Sequence, residues 1–233
     1  SIHSLGAGDY SGGGAIYVAG DDTSISASEF TDSTSKGHGG AIYVAGKNTN
    51  IADSKFTSNH AEQSAGAIYI SKYNVTVNEK TVIVEAQNTS IEDCLFDDNS
   101  AVISGGAVRV SGTNTTILRS HFDKNKVTAG YSGDSKGIGG ALYIDGINAT
   151  VQYSSFTENT AVGRGGAIFW NGGHGGDSII GSNFTRNKAT SYNNALGGAV
   201  YWSAGGASTP GGLIKDNIFD SNYAAKHGGA IES

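Results

Sequence analysis

The chain has 233 residues, of which 36 are Gly, one is Pro, one is Cys and none is Met; a Gly share of about 15%, twice the usual, excludes an ordinary helical domain. Charged residues at 15% and apolar residues at 37% exclude a highly charged disordered segment and a lipid-embedded bundle. The net charge of -6 argues against a phosphate-binding surface, so nucleic acid is not an expected partner, and no apolar run reaches the ~18 residues of a membrane span.

In chain order, the opening Ser1-Ile2-His3-Ser4 has neither a basic nor an apolar leader character. A Gly-Gly-Ala-aliphatic tetrad then recurs eight times: Gly13-Gly14-Ala15-Ile16, Gly39-Gly40-Ala41-Ile42, Ala65-Gly66-Ala67-Ile68, Gly105-Gly106-Ala107-Val108, Gly139-Gly140-Ala141-Leu142, Gly165-Gly166-Ala167-Ile168, Gly197-Gly198-Ala199-Val200 and Gly228-Gly229-Ala230-Ile231. Phe-x-x-Asn falls between successive tetrads, with Phe leading at 56, 96, 122, 156, 184 and 219; the first copy, Phe30, has Ser33 in place of Asn. The tetrad alanines lie 26, 26, 40, 34, 26, 32 and 31 residues apart, which defines a unit of 26 with insertions near 71-88 and 128-136.

Each tetrad opens a segment of period two. In Ala15-Ile16-Tyr17-Val18, Ile16 and Val18 share one face and Tyr17 takes the other. An aliphatic-x-x-Ser-x-Phe pattern follows, as in Ile25-Ser28-Phe30 and Ile51-Ser54-Phe56, and Cys94 occupies the Ser position two before Phe96, as a small buried filler. Short strands, glycine corners and stacked equivalent residues describe residues 1-233 as one parallel β-helix domain of about eight coils with two or three strands each, a rod on the order of 40 Å long. Aliphatics fill its interior, Phe makes an internal aromatic ladder and Asn satisfies backbone groups at a corner. Trp170 and Trp202, where other coils have Val18 and Val44, fill a wider core in the later coils.

The alternating tetrads and Phe-x-x-Asn motifs resemble the passenger regions of chlamydial polymorphic membrane proteins and the large adhesin-like surface proteins of methanogenic archaea. The resemblance covers nearly the whole chain, with Ser33 and Ala65 as local departures. It implies an all-β, right-handed, single-stranded parallel β-helix outside the cell, used in adhesion.

Several residues are candidates for function. If the tetrad aliphatics face inward, Tyr17, Tyr43, Tyr69, Arg109, Tyr143, Phe169 and Tyr201 form an outward column. This column is either a contact strip for glycans or protein partners, or a stack of rings that lies under the 71-88 insertion. Sequons at Asn74, Asn88, Asn114, Asn148 and Asn183 are glycosylation candidates; Asn88, Asn114 and Asn148 each stand eight residues before their Phe and so share one corner. The variable slot before Gly-Gly, with His38 and His227 among its occupants, reads as turn surface. Asp21-Asp22, Asp97-Asp98, Gly37-His38-Gly39, Gly173-His174-Gly175 and Ile214-Lys215 are echoes of polygalacturonase-like sites, but they fall at dispersed corners.

The expected role is therefore a non-enzymatic, glycosylated surface adhesin or a subunit of a head-to-tail fibre, with no cofactor and no metal site. The alternative is a polysaccharide-active enzyme, a lyase or a glycosidase. The chain starts near Leu5 and stops after a tetrad strand, a phase that suits stacking on copies of itself or on flanking coils of a longer chain.

Overall fold

The computed structural model describes residues 12-77, 80-129, 136-172, 175-203 and 211-233. Leu5, most of the 128-136 insertion and His174 lie outside them. Within these residues the chain is wound as a parallel β-helix. One eight-stranded sheet carries the tetrads, and three seven-stranded sheets carry the Ile-x-x-Ser segments, the Phe segments and a two-residue segment after each Asn. A complete coil thus has four short strands, not two or three. In one coil they are Ile42–Val44, Asn50–Ala52, Lys55–Thr57 and His60–Ala61. The fourth escapes a periodicity search because two residues are too short to alternate.

What turns the chain at each corner is a single residue in the left-handed region. In the coil from Gly39 these are Gly39, Asn48, Asp53 and Ser58, with φ of 63°, 53°, 51° and 54°. Many corner residues are Asp or Asn, whose short polar side chains tolerate this conformation best after Gly. The tetrad adds a second constraint. A Cβ on Gly140 would lie 2.0 Å from the carbonyl oxygen of Gly166 in the next coil, so the second Gly is required by backbone contact between coils. The Ala that follows, such as Ala141, is fully buried.

Every repeat position stacks on its equivalent. Ile42 pairs with Ile68, Val108 with Leu142, and Phe96 with Phe122. The interior is a set of columns as a result. The rings of Phe30, Phe56, Phe96, Phe122, Phe156, Phe184 and Phe219 stack with centroids 4.6 to 4.9 Å apart and planes within 8°. Trp170 and Trp202 continue the row of Val44 and Ile70 with their rings 4.5 Å apart. The Trp170 Nε1–H donates to the buried carboxylate of Asp177 at 3.3 Å.

A buried asparagine column runs beside the Phe rings. The Asn125 amide donates both protons, to the Phe96 carbonyl and to Asn159 Oδ1, each at 3.0 Å. Its Oδ1 accepts from the backbone N–H and the side-chain amide of Asn99, also at 3.0 Å. The full donor and acceptor capacity of the amide is used, and the column repeats at Asn59, Asn99, Asn159 and Asn187. Ser33 closes it at one end, because there only the backbone N–H donates, to Asn59 Oδ1.

Cys94 sits in the serine column as expected. Its N–H donates to Ser120 Oγ and its Sγ to the Glu92 carbonyl, and burial pushes the thiol up to about 11.

The 71-88 insertion is an antiparallel ribbon of Lys72–Val77 and Lys80–Glu85. It leaves the coil after Ile70 and rejoins it at Ala86.

Two expectations follow for thermal or denaturant unfolding. Replacing Asn125 by Ala strands the Phe96 carbonyl and the Asn99 donors, and should cost about 3 kcal/mol or more at roughly 1–3 kcal/mol per buried unsatisfied group. Gly140→Ala should be at least as damaging, whereas Gly20→Ala, where a Cβ meets nothing within 4 Å, should stay within about 0.5 kcal/mol of the parent.

Candidate functional site

The expected outward column is present on the tetrad sheet. The rings of Tyr17 and Tyr43 are 5.2 Å apart, those of Tyr143 and Phe169 5.4 Å, and those of Phe169 and Tyr201 5.1 Å. It is not an exposed strip: Tyr43, Tyr69, Tyr143 and Phe169 are all buried, and Tyr17, Arg109 and Tyr201 are half-buried. What covers them corrects a second expectation, that the slot before Gly-Gly is turn surface: His227 in the last coil is exposed, but in the inner coils the slot is covering. These residues fold back over the ring of the following coil. The His38 imidazole stacks on Tyr69 at 4.6 Å, the Arg164 guanidinium lies 4.9 Å from the Tyr201 centroid, and Ile138 packs with Tyr143 and Phe169. Even the Gly12 slot is in contact, since a Cβ there would meet the Tyr43 ring. The variety of occupants concealed this role, because a flat ring face accepts an imidazole, a guanidinium or an alkyl group equally.

Arg109 interrupts the rings and is built in as one of them. Its guanidinium carbon lies 5.7 Å from the Tyr69 centroid and 4.5 Å from that of Tyr143. Nη2 pairs with Asp145 Oδ2 at 2.9 Å, Nε donates to Ser111 Oγ, and Ser111 Oγ donates to the other Asp145 oxygen at 2.6 Å. Burial alone would lower its pKa; the Asp145 charge and the two rings outweigh that and raise it, so the cation is fixed in place.

The sequons divide by position. Asn88, Asn114 and Asn148 do share one exposed corner, all left-handed, in a second asparagine ladder on the outside. Each Nδ2 donates to the Oδ1 of the preceding coil at 2.8 to 2.9 Å, and the ladder ends on Asp22 through Asn48. The nitrogen that would take a glycan is therefore also a coil tie, although an N-linked amide keeps one N–H for the bond. Asn183 is exposed on the strand Asn183–Thr185, and Asn74 lies on the ribbon, opposite Ile83.

The carboxylate pairs stand apart from one another. Asp21 accepts from the Lys47 N–H, and Asp22 from Asn48 Nδ2, at the outer asparagine corner. Asp98 pairs with Lys126 at the corner after Phe96. His38, under the Tyr69 stack, belongs to neither corner. Among the described residues no three His, Cys, Asp or Glu side chains gather to hold a metal ion, and no helix is long and apolar enough to cross a membrane.

Among the described residues, large side chains are exposed at corners, on the ribbon and on the strands of the last coil. Tyr153 and Tyr192 expose 62% and 85% of their area. A groove of about 560 Å³ lies at the base of the ribbon, lined by Asp21, Lys47, Lys72, Glu85 and Gln87 among others. Tyr73 of the ribbon stands beside Tyr17, whose hydroxyl is pushed up to about 12 by burial and, to a lesser degree, by Tyr73.

The coil between Tyr153 and Phe169 contains one Phe-x-x-Asn motif and one tetrad, and residues 153–169 match the family model described as the Chlamydia polymorphic membrane protein (Chlamydia_PMP) repeat. The chain carries that repeat. No curated protein and no solved structure matches it. The match falls on the two motifs that the structure explains as a buried amide ladder and a close contact between coils. The same pair of motifs recurs in the neighbouring coils, with the same amide ladder and the same close contact.

The covered spine has a consequence for pH. Burial, aided by the Arg109 charge, lowers the His38 pKa from 6.5 to about 4, so the folded protein holds this imidazole neutral while the unfolded chain protonates it at 6.5. The stabilisation is complete above pH 6.5 and is lost as the pH falls from there toward 4, to a total of about 3 kcal/mol at ~1.4 kcal/mol per pH unit. His38→Ser, which copies Ser64 and Ser104, should flatten that part of the stability profile. The check is denaturant unfolding of both proteins between pH 4 and 7.

Proposed function

We propose that this chain is a displayed β-helical segment of a cell-surface protein that acts as an adhesin or as the structural subunit of a surface fibre. The observation that carries the proposal is the Chlamydia_PMP repeat match, which links the chain to a family of membrane surface proteins. The architecture supports it. Continuous ladders of Phe and Asn build a stiff rod, and open side chains at the corners are free to vary without disturbing it.

In this reading the spine of Tyr17, Tyr43, Tyr69, Arg109, Tyr143, Phe169 and Tyr201 is structural, and contacts with glycans or proteins are made by corner residues such as Tyr153 and Tyr192. Among the described residues the outermost strand of each sheet is paired on one side, an arrangement that would suit a further coil from a longer chain or from a second copy. Glycans on Asn88, Asn114 and Asn148 would form a stripe along one corner. No reaction is assigned, because Asp21, Asp22 and Asp98 serve as coil ties.

Negative-stain imaging and intact mass of natively purified protein test this reading together with a glycan-array or cell-binding assay. Rods or filaments that bind, with binding reduced at least tenfold by Tyr153→Ala or Tyr192→Ala, are the expected result. Unmodified protein that neither assembles nor binds would overturn it.

A further inference from the structure

Tyr153 stands at a corner where a large side chain is costly. Its backbone is left-handed, with φ of 50°, a conformation that bulky residues adopt rarely. The same corner is turned by Ala27, Asp53 and Arg119 in earlier coils and by Gly181 in the next. The ring adds little to the core, since 62% of the residue is exposed, yet it is held in place. It lies against the backbone of Gly181, where a Cβ would come within 2.7 Å of its Cδ1 and Cε1. A side chain at position 181 would push the ring off, so this Gly leaves an aromatic face laid on the coil and open to solvent.

Two residues after Gly181 comes Asn183, of the sequon Asn183-Phe184-Thr185. Ser182 and Phe184 on either side of it are fully buried, so Asn183 turns to solvent. Its strand partner is Ser155, two residues after Tyr153, which puts ring and asparagine on one ridge of adjacent coils. At most about 7 Å of chain separates Gly181 from Asn183, a span that one pyranose ring covers. The corner sequons differ in what their amides do. Asn88, Asn114 and Asn148 each give Nδ2 to the outer ladder, whereas the Asn183 side chain makes no hydrogen bond among the described residues.

We infer that Asn183 carries an N-linked glycan whose first sugar packs on the ring of Tyr153. The C–H groups on one face of a pyranose suit the apolar, electron-rich face of the ring, and its hydroxyls stay in water. Attachment joins Asn183 Nδ2 to C1 of the sugar, and the amide gives up one proton to a base of the transferase. The bond from C1 to oxygen of an activated sugar diphosphate breaks, and the diphosphate leaves with the electron pair. The inference rests on the reading of this chain as a glycosylated surface segment. It assigns Tyr153 to the chain's own glycan and leaves Tyr192 to outside partners.

The test uses the full chain secreted from cells that glycosylate Asn-x-Ser/Thr. Peptide mapping by mass spectrometry should find Asn183 occupied. Unfolding rates in denaturant are then compared before and after enzymatic removal of the glycans. Removal should speed unfolding about tenfold in the parent and less than about twofold in Tyr153→Ala, while Tyr153→Phe, which keeps the ring, retains the larger effect. Ala27 takes the same corner conformation with φ of 48°, so Tyr153→Ala is compatible with the fold. Glycans at other sequons act alike on all three proteins, so the difference isolates the ring. Glycan removal that speeds unfolding equally in the parent and in Tyr153→Ala would overturn the inference. A bare Asn183 beside glycans on Asn88, Asn114 or Asn148 would also overturn it and leave the glycosylated reading standing; no glycan at any sequon would overturn both.

Discussion

Each coil must lie one strand spacing, about 4.8 Å, above the last, and this distance governs nearly every side chain in the molecule. It equals the stacking distance of aromatic rings, so Phe96 and Phe122 sit 4.6 Å apart and nearly coplanar. It is also the reach of an amide to its copy in the next coil, so Asn125 can hand its hydrogen bonds on to Asn159. And it leaves no room for a Cβ where the two tetrad backbones cross at Gly140 and Gly166. A residue that satisfies the spacing in one coil satisfies it in all of them, which is why the sequence repeats.

The same spacing accounts for the corners. Four reversals per coil leave only a few residues for each, and a single left-handed residue does the work of a longer turn. Stacked corners then become ladders in their own right. The outer one, from Asp22 through Asn48, Asn88 and Asn114 to Asn148, is the polar counterpart of the buried one. At another corner charged residues make the bond between coils, as Arg119 does with Asp93 and Arg186 with Glu158. Structural duty therefore absorbs most of the polar residues that look chemically suggestive in isolation.

The interior was largely legible from sequence. Stacked Ile, Phe, Asn and Ser positions, the small buried role of Cys94 and the place of Trp170 and Trp202 inside the coil all follow from the repeat, because identical residues at identical phase must superpose. The outer spine was legible only in half. Alternation placed Tyr43 and Tyr143 outside the sheet, correctly, but alternation describes one strand and says nothing of what lies over it. The covering residues, His38, Ile138 and Arg164, precede the strand and share no residue type.

By itself, then, the sequence determined the coil, its register and the columns inside it, since those are consequences of periodicity and backbone spacing. Tertiary structure alone decided which surfaces remained open. It closed the Tyr43–Tyr69 face beneath His38 and left Val82 and Ile83 exposed. Exposure depends on what folds back from elsewhere in the chain, and such contacts leave no period to read.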